Sequence, residues 1–480
     1  MPVKQADGRD NVRKYPTCDH ARHPQQRADP AAASPAFLYR AVYRPFIFVA
    51  ALTGTLYVLT PQLENVLYQS QLFTSSTGPD QPISAQIATA SALMGPKAKI
   101  AAVRPAPHPG ETTRVMFASA DLGPSETRAV FVDPKTLEIR GEMTVYGTSG
   151  VLPFRTWLDY LHRNLLLGDV GRNYSELAAS WLWIAALGGA LLWATSRTPR
   201  RKPLRSPPTR AQRLAGQRHW HTTLGLALLL GLVFFSATGL TWSRWAGDNI
   251  SLMRNHFGWM TPSVNTVLHS ESAMMMDMPM DEHAEHKGHM MMTQDAAPAT
   301  VNPAQFDGVL SAARAAGIDA AKLEIRPSYR ADKAWTVNEI DRSWPTQVDS
   351  VAVDPQSNAV IDKVEFANFG LLAKLTRWGV DAHMGVLFGV ANQLVLALFG
   401  AGLCVMIVIG YRMWWLRRPQ GGQVSPLDTL LGCWQPLSIS ARFLLLVITL
   451  ITAVCLPVMG VSLLVLLGVD VWRWRRAVHA

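Results

Sequence analysis

Four apolar runs dominate what this chain can fold into. PFIFVAALTGTLYVLT (45–60), LAASWLWIAALGGALLWA (177–194), LGLALLLGLVFFSATGLTW (224–242) and NQLVLALFGAGLCVMIVIGYRMWW (392–415) are each near or above the roughly 18–20 residues that a helix needs to cross a bilayer. A fifth block, FLLLVITLITAVCLPVMGVSLLVLLGV (443–469), is interrupted by Pro457 and Gly460 and reads equally as one kinked helix or a tight hairpin. The expected fold is an α-helical membrane protein with four clear spans plus a C-terminal fifth span or hairpin.

Charge follows the same layout. The net charge of +10 is concentrated next to the spans: residues 197–218 hold eight Lys/Arg and no Asp or Glu, and RMWWLRRP follows the fourth span. By the positive-inside rule these loops are cytoplasmic, the N-terminus is cytoplasmic, and the two long polar segments are periplasmic or extracellular. Basic charge here reports topology, and nucleic acid is not an expected partner. The division expected is a disordered tail (1–35), a first span (36–61), a first outer domain (62–155) and a His-bearing segment with the second span (156–196). The basic loop (197–218), third span (219–244) and second outer domain (245–370, with an insert at 272–292) follow. A His-bearing segment with the fourth span (371–416), a cytoplasmic loop (417–438) and the C-terminal membrane segment or segments (439–472) complete it. Cys18, Cys404, Cys433 and Cys455 all fall outside the exported segments, which therefore carry no disulfide framework.

The chain repeats itself. VDPKTLEI (132–139) returns as VDPQSNAV (353–360), an offset of 221 residues. His162, Gly189 and Trp193 recur at that same offset as His383, Gly410 and Trp414. Thr53-Gly54 in the first span matches Thr238-Gly239 in the third at the shorter offset of 185. Each outer segment reads as a small α+β unit. An amphipathic helix (83–94 or 303–317) precedes alternating strands such as RAVFVDP and VDSVAVDP, with Asp-Pro at the turn. The pattern is an internal duplication: span, outer domain, histidine, span, repeated.

Three histidines stand at span ends, where an ionisable side chain is costly and calls for a functional explanation. His162 and His383 occupy matched positions at the outer ends of the second and fourth spans. Two imidazoles facing each other across a bundle can supply both axial bonds to a haem iron. They are equally explained as interfacial groups hydrogen-bonded to backbone or headgroups. His221 begins the third span, two residues after His219, so at most one of the pair faces the bundle. The insert SAMMMDMPMDEHAEHKGHMMM (272–292) is rich in thioether and imidazole groups, which suit copper better than hard cations. His283, His286, His289, Met276, Met278 and Met290 would carry copper there. A low-complexity insert explains the same composition.

LHRNLLLGDVGRNYSELAASW, RHWHTTLGLALLLGLVFFSATGLTWS and HMGVLFGVANQLVLALFGAGLCVMIVIGYRMWWLRRP resemble the transmembrane motifs of the PepSY-associated transmembrane family, the iron-regulated membrane proteins that include bacterial siderophore reductases. The resemblance covers roughly 36–470, and the two outer segments resemble PepSY domains. It implies a multi-pass protein of the bacterial inner membrane with its large domains periplasmic. It implies haem b, one group or two, held by His162 and His383 and, at an inner site, His221. In relatives a first-span histidine in a WHFYAGL-like stretch would partner His221. Here LYRAVYRPFIFVAALTG stands in its place, about nine residues short and without histidine. The implied activity is that of a metal or siderophore oxidoreductase, in which the cofactor does the redox chemistry and no side chain is catalytic. Its partners would be a ferric siderophore or other periplasmic metal complex, Cu(II) included, and a quinol or separate reductase as donor. No flavin or nicotinamide fingerprint is present. The rival expectation is a non-redox membrane protein whose PepSY domains bind a protein partner, as a protease inhibitor or assembly factor.

Overall fold

The computed structural model describes residues 35–147, 149–195, 209–268, 298–417, 434 and 436–479. The expected tail, most of the basic loop, nearly all of the 417–438 loop and the whole Met/His-rich insert lie outside the described residues, as do Cys18 and Cys433.

The apolar runs form helices. Three are long and apolar enough to cross a membrane, namely α6 (Gly168–Thr195), α12 (Gly389–Arg417) and α14 (Pro457–His479). Two bent pairs raise that number to five. In the first, α1 (Pro35–Val58) turns by 48° into α2 (Thr60–Leu67). Pro61 sits in the first turn of α2 and has no N–H to continue the ladder, which places the break. In the second, α7 (Arg210–Ala227) turns by 59° into α8 (Leu229–Thr241). The interrupted C-terminal block is two helices: α13 (Ile439–Cys455) packs on α14, and Gly460 lies so close to Ala453 that a side chain would not fit. The hairpin option left open by the sequence is the one adopted.

Inside the bundle α1 lies between α6 and α12. Tyr43 stacks on Trp181 at 5.1 Å between ring centres, and Ile47, Leu232, Leu403 and Ile407 complete the buried cluster. Trp181 Nε1 donates to Ser462 Oγ at 3.0 Å, which ties α14 to α6. Gly400 lets α12 press against Thr55 of α1, where any side chain would collide.

The polar segments build one antiparallel sheet of eight strands in the order β4-β3-β2-β1-β5-β6-β7-β8. The first segment supplies β1 (Lys99–Arg104), β2 (Thr113–Ala118), β3 (Glu126–Val132) and β4 (Ile139–Tyr146). The second supplies β5 (Leu323–Arg326), β6 (Trp335–Glu339), β7 (Ser350–Val353) and β8 (Val360–Val364). The helices α4 (Ile83–Met94) and α10 (Gln305–Ala315) share one core on one face, packing Ile87 and Phe306 with Val103, Phe117, Trp335 and Val351. Alternation puts Met116, Ala129 and Phe131 on the opposite face with Leu72 and Leu152.

The two Asp-Pro turns match bond for bond. Leu137 N donates to Asp133 O and Asn358 N to Asp354 O, and a register shift follows Phe131 in one copy and Ala352 in the other. Leu137 (φ 62°) and Asn358 (φ 57°) both take the left-handed conformation. Asn enters that region readily and Leu does not, so Leu137→Asn is expected to raise stability by on the order of 1 kcal/mol. A rise in the thermal midpoint of the full chain in nanodiscs checks this; an unchanged or lower midpoint contradicts it.

The halves meet where Val103 of β1 pairs with Ile325 of β5. Beside that pair Arg104 donates through Nε to Glu324 Oε2 at 2.7 Å, and Arg326 bonds the other oxygen. Burial pushes the Glu324 carboxyl upward, but the two guanidinium groups outweigh it and hold the group below its usual range. Removing one partner from such a buried pair costs about 3–5 kcal/mol, whereas replacing both by apolar groups is often neutral. Arg104→Met alone should therefore lower the unfolding midpoint sharply, and Arg104→Met with Glu324→Leu should restore most of it. Equal loss in both proteins would contradict a desolvation cost at the seam.

Candidate functional site

Where the bundle meets the sheet there is a cavity of ≈ 220 Å³, measured as the space open to the centres of water-sized molecules. Its walls come from α1, α6, α8 and α12 and are apolar, including Ile47, Leu182, Phe235, Phe399 and Leu403. Its sheet end is polar, with Tyr146, Ser149, Arg163, Arg342 and Arg377.

His162 and His383 both line this cavity. Each ends a short helix that leads into a span: α5 (Pro153–Asn164) precedes α6, and α11 (Leu371–His383) precedes α12. The turns that follow are tight. After α5, Leu165 (φ 53°) and Leu166 (φ 61°) are left-handed, Leu166 N donates to Asn164 Oδ1 at 2.9 Å, and Gly171 leaves no room for a side chain against Asn164 O. After α11, Gly385 takes φ 76° and Asn392 Nδ2 donates to Ala382 O at 3.0 Å. Both histidines are thus fixed in the last turn of a helix that the next span pins in place.

Each ring is held by the threonine of a Thr-Gly pair. Thr53 Oγ1 lies 3.1 Å from His162 Nδ1, and Thr238 Oγ1 lies 2.6 Å from His383 Nδ1. A hydroxyl has one proton to give. Thr53 gives its proton to Val49 O at 2.7 Å, and Thr238 gives its own to Phe234 O at 2.8 Å, as helical threonines do. Both hydroxyls must then accept from the imidazoles, which assigns the proton to Nδ1 in each ring. Nε2 is left with its lone pair, the form in which imidazole ligates a transition metal. Gly54 gives the His162 ring its space, since a methyl there would come within 3.1 Å of Cε1. Phe235 and Trp242 enclose His383, with ring centres at 5.0 and 5.6 Å.

His221 is not part of this arrangement. It lies 17 residues before Thr238 along α7 and α8, about 25 Å by helical rise, and does not line the cavity. Its Nδ1 donates to Met406 O at 3.0 Å. A methyl on Gly410 would sit 3.1 Å from Arg44 Nη1 and 3.5 Å from His221 Cε1, so Arg44 of α1 and His221 both lie beside that glycine. His219 is exposed beside Trp220. His283, His286, His289, Met276, Met278 and Met290 lie outside the described residues. Among the described residues no three His, Cys, Asp or Glu side chains converge as a metal site.

The polar rim escaped the sequence. Asp381, fully buried, accepts from Arg342 Nε at 2.6 Å and stands 3.3 Å from Arg377 Nε. Arg342 Nη1 also donates to Ser149 Oγ at 2.8 Å, while Arg104 Nη1 donates to Ser149 O at 2.9 Å. The sheet seam and the cavity rim therefore share one residue. Arg163 donates to Tyr146 OH at 2.7 Å and pairs with Asp159 at 3.3 Å. No motif marks these positions; the recurrent Thr-Gly pairs, read from the sequence only as part of the duplication, are what anchor the two rings.

In metal-free protein, side-chain nitrogen NMR of labelled histidine is expected to show the Nδ1–H tautomer for His162 and His383. Thr238→Val should leave His383 without its acceptor, at a cost of about 1–3 kcal/mol, and shift that ring toward Nε2–H. Nε2–H rings in the unaltered protein would contradict the assignment.

Comparison with known proteins agrees with the architecture. No curated protein matches the chain. The family model of the PepSY-associated TM region matches residues 42–417, which take in α6 and α12, nearly all of both bent helix pairs, the whole sheet and both cavity histidines. The chain belongs to the PepSY-associated transmembrane family.

Proposed function

We propose that the protein is a haem b-containing reductase of the bacterial inner membrane, passing electrons to a metal complex on the periplasmic side. Orientation comes from the eight Lys/Arg of 197–218, which the positive-inside rule assigns to the cytoplasm, so that the sheet faces the periplasm. The two halves, with matched turns, anchors and histidines, are products of one duplication. The observation that carries the proposal is the pair of imidazoles lining one cavity, each with its Nδ1 against the hydroxyl of the threonine in a Thr-Gly pair.

The residues fit a haem. His162 and His383 would hold the iron from the two halves, and the apolar walls suit a macrocycle and exclude water from it. Bound there, haem supplies a one-electron couple within reach of the sheet side. The chain's own work is to keep both rings in the ligating tautomer and to surround them with low dielectric, two levers on potential. The substrate favoured is a ferric siderophore, whose hard oxygen ligands hold Fe(III) firmly and Fe(II) weakly. A membrane quinol or separate reductase supplies the electrons. One haem per chain is proposed, because the first-span residue beside His221 at Gly410 is Arg44, where an inner pair would need a second imidazole.

The test is optical. Protein from haem-replete cells should show a Soret band, sharp α and β bands on dithionite reduction, and one haem b per chain by pyridine haemochrome. His383→Ala should remove most of that absorbance, and ferric siderophore should reoxidise the reduced unaltered protein. Absence of any haem spectrum would favour the non-redox reading, in which the PepSY-like sheet binds a protein partner.

A further inference from the structure

Trp344 stands in the loop between β6 and β7, with 57% of its surface exposed. Its ring centre lies 6.0 Å from that of Phe388, exposed to the same extent, and 5.6 Å from that of Trp378 on α11. Leu371 and Leu375 share the Trp378 side of that helix, at spacings of seven and three residues, and both are exposed. Ala373 and Val380 are buried. Large apolar side chains gain about 1.5–3 kcal/mol each when taken out of water, so a connected group of them left open marks a surface made for a partner.

Phe388 says what that partner is. It directly precedes α12, whose outer half exposes Leu394, Val395 and Leu398 and buries Asn392 and Gln393. A span with its amides turned inward and its aliphatic side chains outward faces lipid on the outward side. The first turn of such a span lies where acyl chains meet headgroups, and the indole against Phe388 lies there with it. Trp344 N also donates to Leu387 O at 2.7 Å, which pins the loop to the start of the span. Tryptophan suits that depth, being apolar in body with one N–H for the wet side. The matched loop of the first half, SADLGPS (119–125) between β2 and β3, carries no aromatic residue.

We propose that the β6–β7 loop anchors the sheet to the bilayer, with Trp344 seated among the headgroups and first acyl carbons of the leaflet on the sheet side. Phe388, Leu371 and Leu375 complete the surface that meets lipid. The claim is independent of what the cavity holds. It is one-sided, because only the second half carries the indole. It also gives the loop two tasks, since Arg342, two residues before Trp344, lines the cavity. The sheet end of the cavity then lies at the membrane surface and not above it.

The experiment uses the full chain in nanodiscs, with Cys18, Cys404, Cys433 and Cys455 replaced by serine. A nitroxide is attached at Trp344→Cys or, for comparison, at Gln356→Cys in the turn at the other end of β7. Relaxation by oxygen is compared with relaxation by a water-soluble nickel chelate. The oxygen-to-nickel ratio should be at least about tenfold higher at 344 than at 356, because hydrocarbon excludes the polar chelate and admits oxygen. Leu371→Cys should give the same result as 344 and decides the matter if Trp344→Cys does not fold. Ratios at 344 and 371 equal to that at 356 overturn the proposal. Protection of 344 from both agents overturns it too, and dipolar broadening between labels would then assign the surface to a second copy of the chain.

Discussion

Everything about this site depends on two threonine hydroxyls, each with a single proton already committed to its own helix. Because Thr53 and Thr238 give that proton to a backbone carbonyl one turn back, they can only accept from the imidazoles beside them. That one constraint sets the tautomer of both rings and turns both Nε2 lone pairs into the available donors. It also explains the glycine beside Thr53, whereas Gly239 beside Thr238 faces Ala179 of α6. At Gly54 a methyl would come within 3.1 Å of the His162 ring and press on it. A histidine merely resting at a headgroup boundary would need neither feature.

Around this pair the molecule joins two environments. The bundle supplies apolar walls, and the sheet supplies charge. The joint is polar and buried: Asp381, Arg342, Ser149, Arg104 and Glu324 run from the cavity to the middle of the eight-stranded sheet. Such a network is costly when broken and rigid when complete. The sheet is thereby held in a fixed relation to the cavity over which it lies.

Much of this was legible in the sequence, for identifiable reasons. Span positions follow from run length, and the pairing of His162 with His383 follows from the offset shared with the Asp-Pro turns. β1 carries no strand signal in the sequence, because KIAAVR lies at the centre of the sheet with Val103 on one face and Ala102 buried on the other, so no alternation survives. That same strand makes the seam, so the fusion of both segments into one sheet was invisible too. The rim was missed for a different reason. Arg342 lies 179 residues from Arg163 and in another element, and only the fold brings them to one opening. His221 shows the converse: its place in the sequence pattern is plain, but the first-span residue that shares the space at Gly410 with it is a cation, Arg44.

The central claim is that one iron is shared by two imidazoles from opposite halves. Electron paramagnetic resonance of the oxidised, haem-loaded protein tests it most directly, because spin state reports axial coordination. The account predicts a low-spin ferric signal in the unaltered protein, and conversion to high spin when either His162 or His383 alone is replaced by alanine. A high-spin signal at the outset, or a low-spin signal that survives in both single variants, would contradict it.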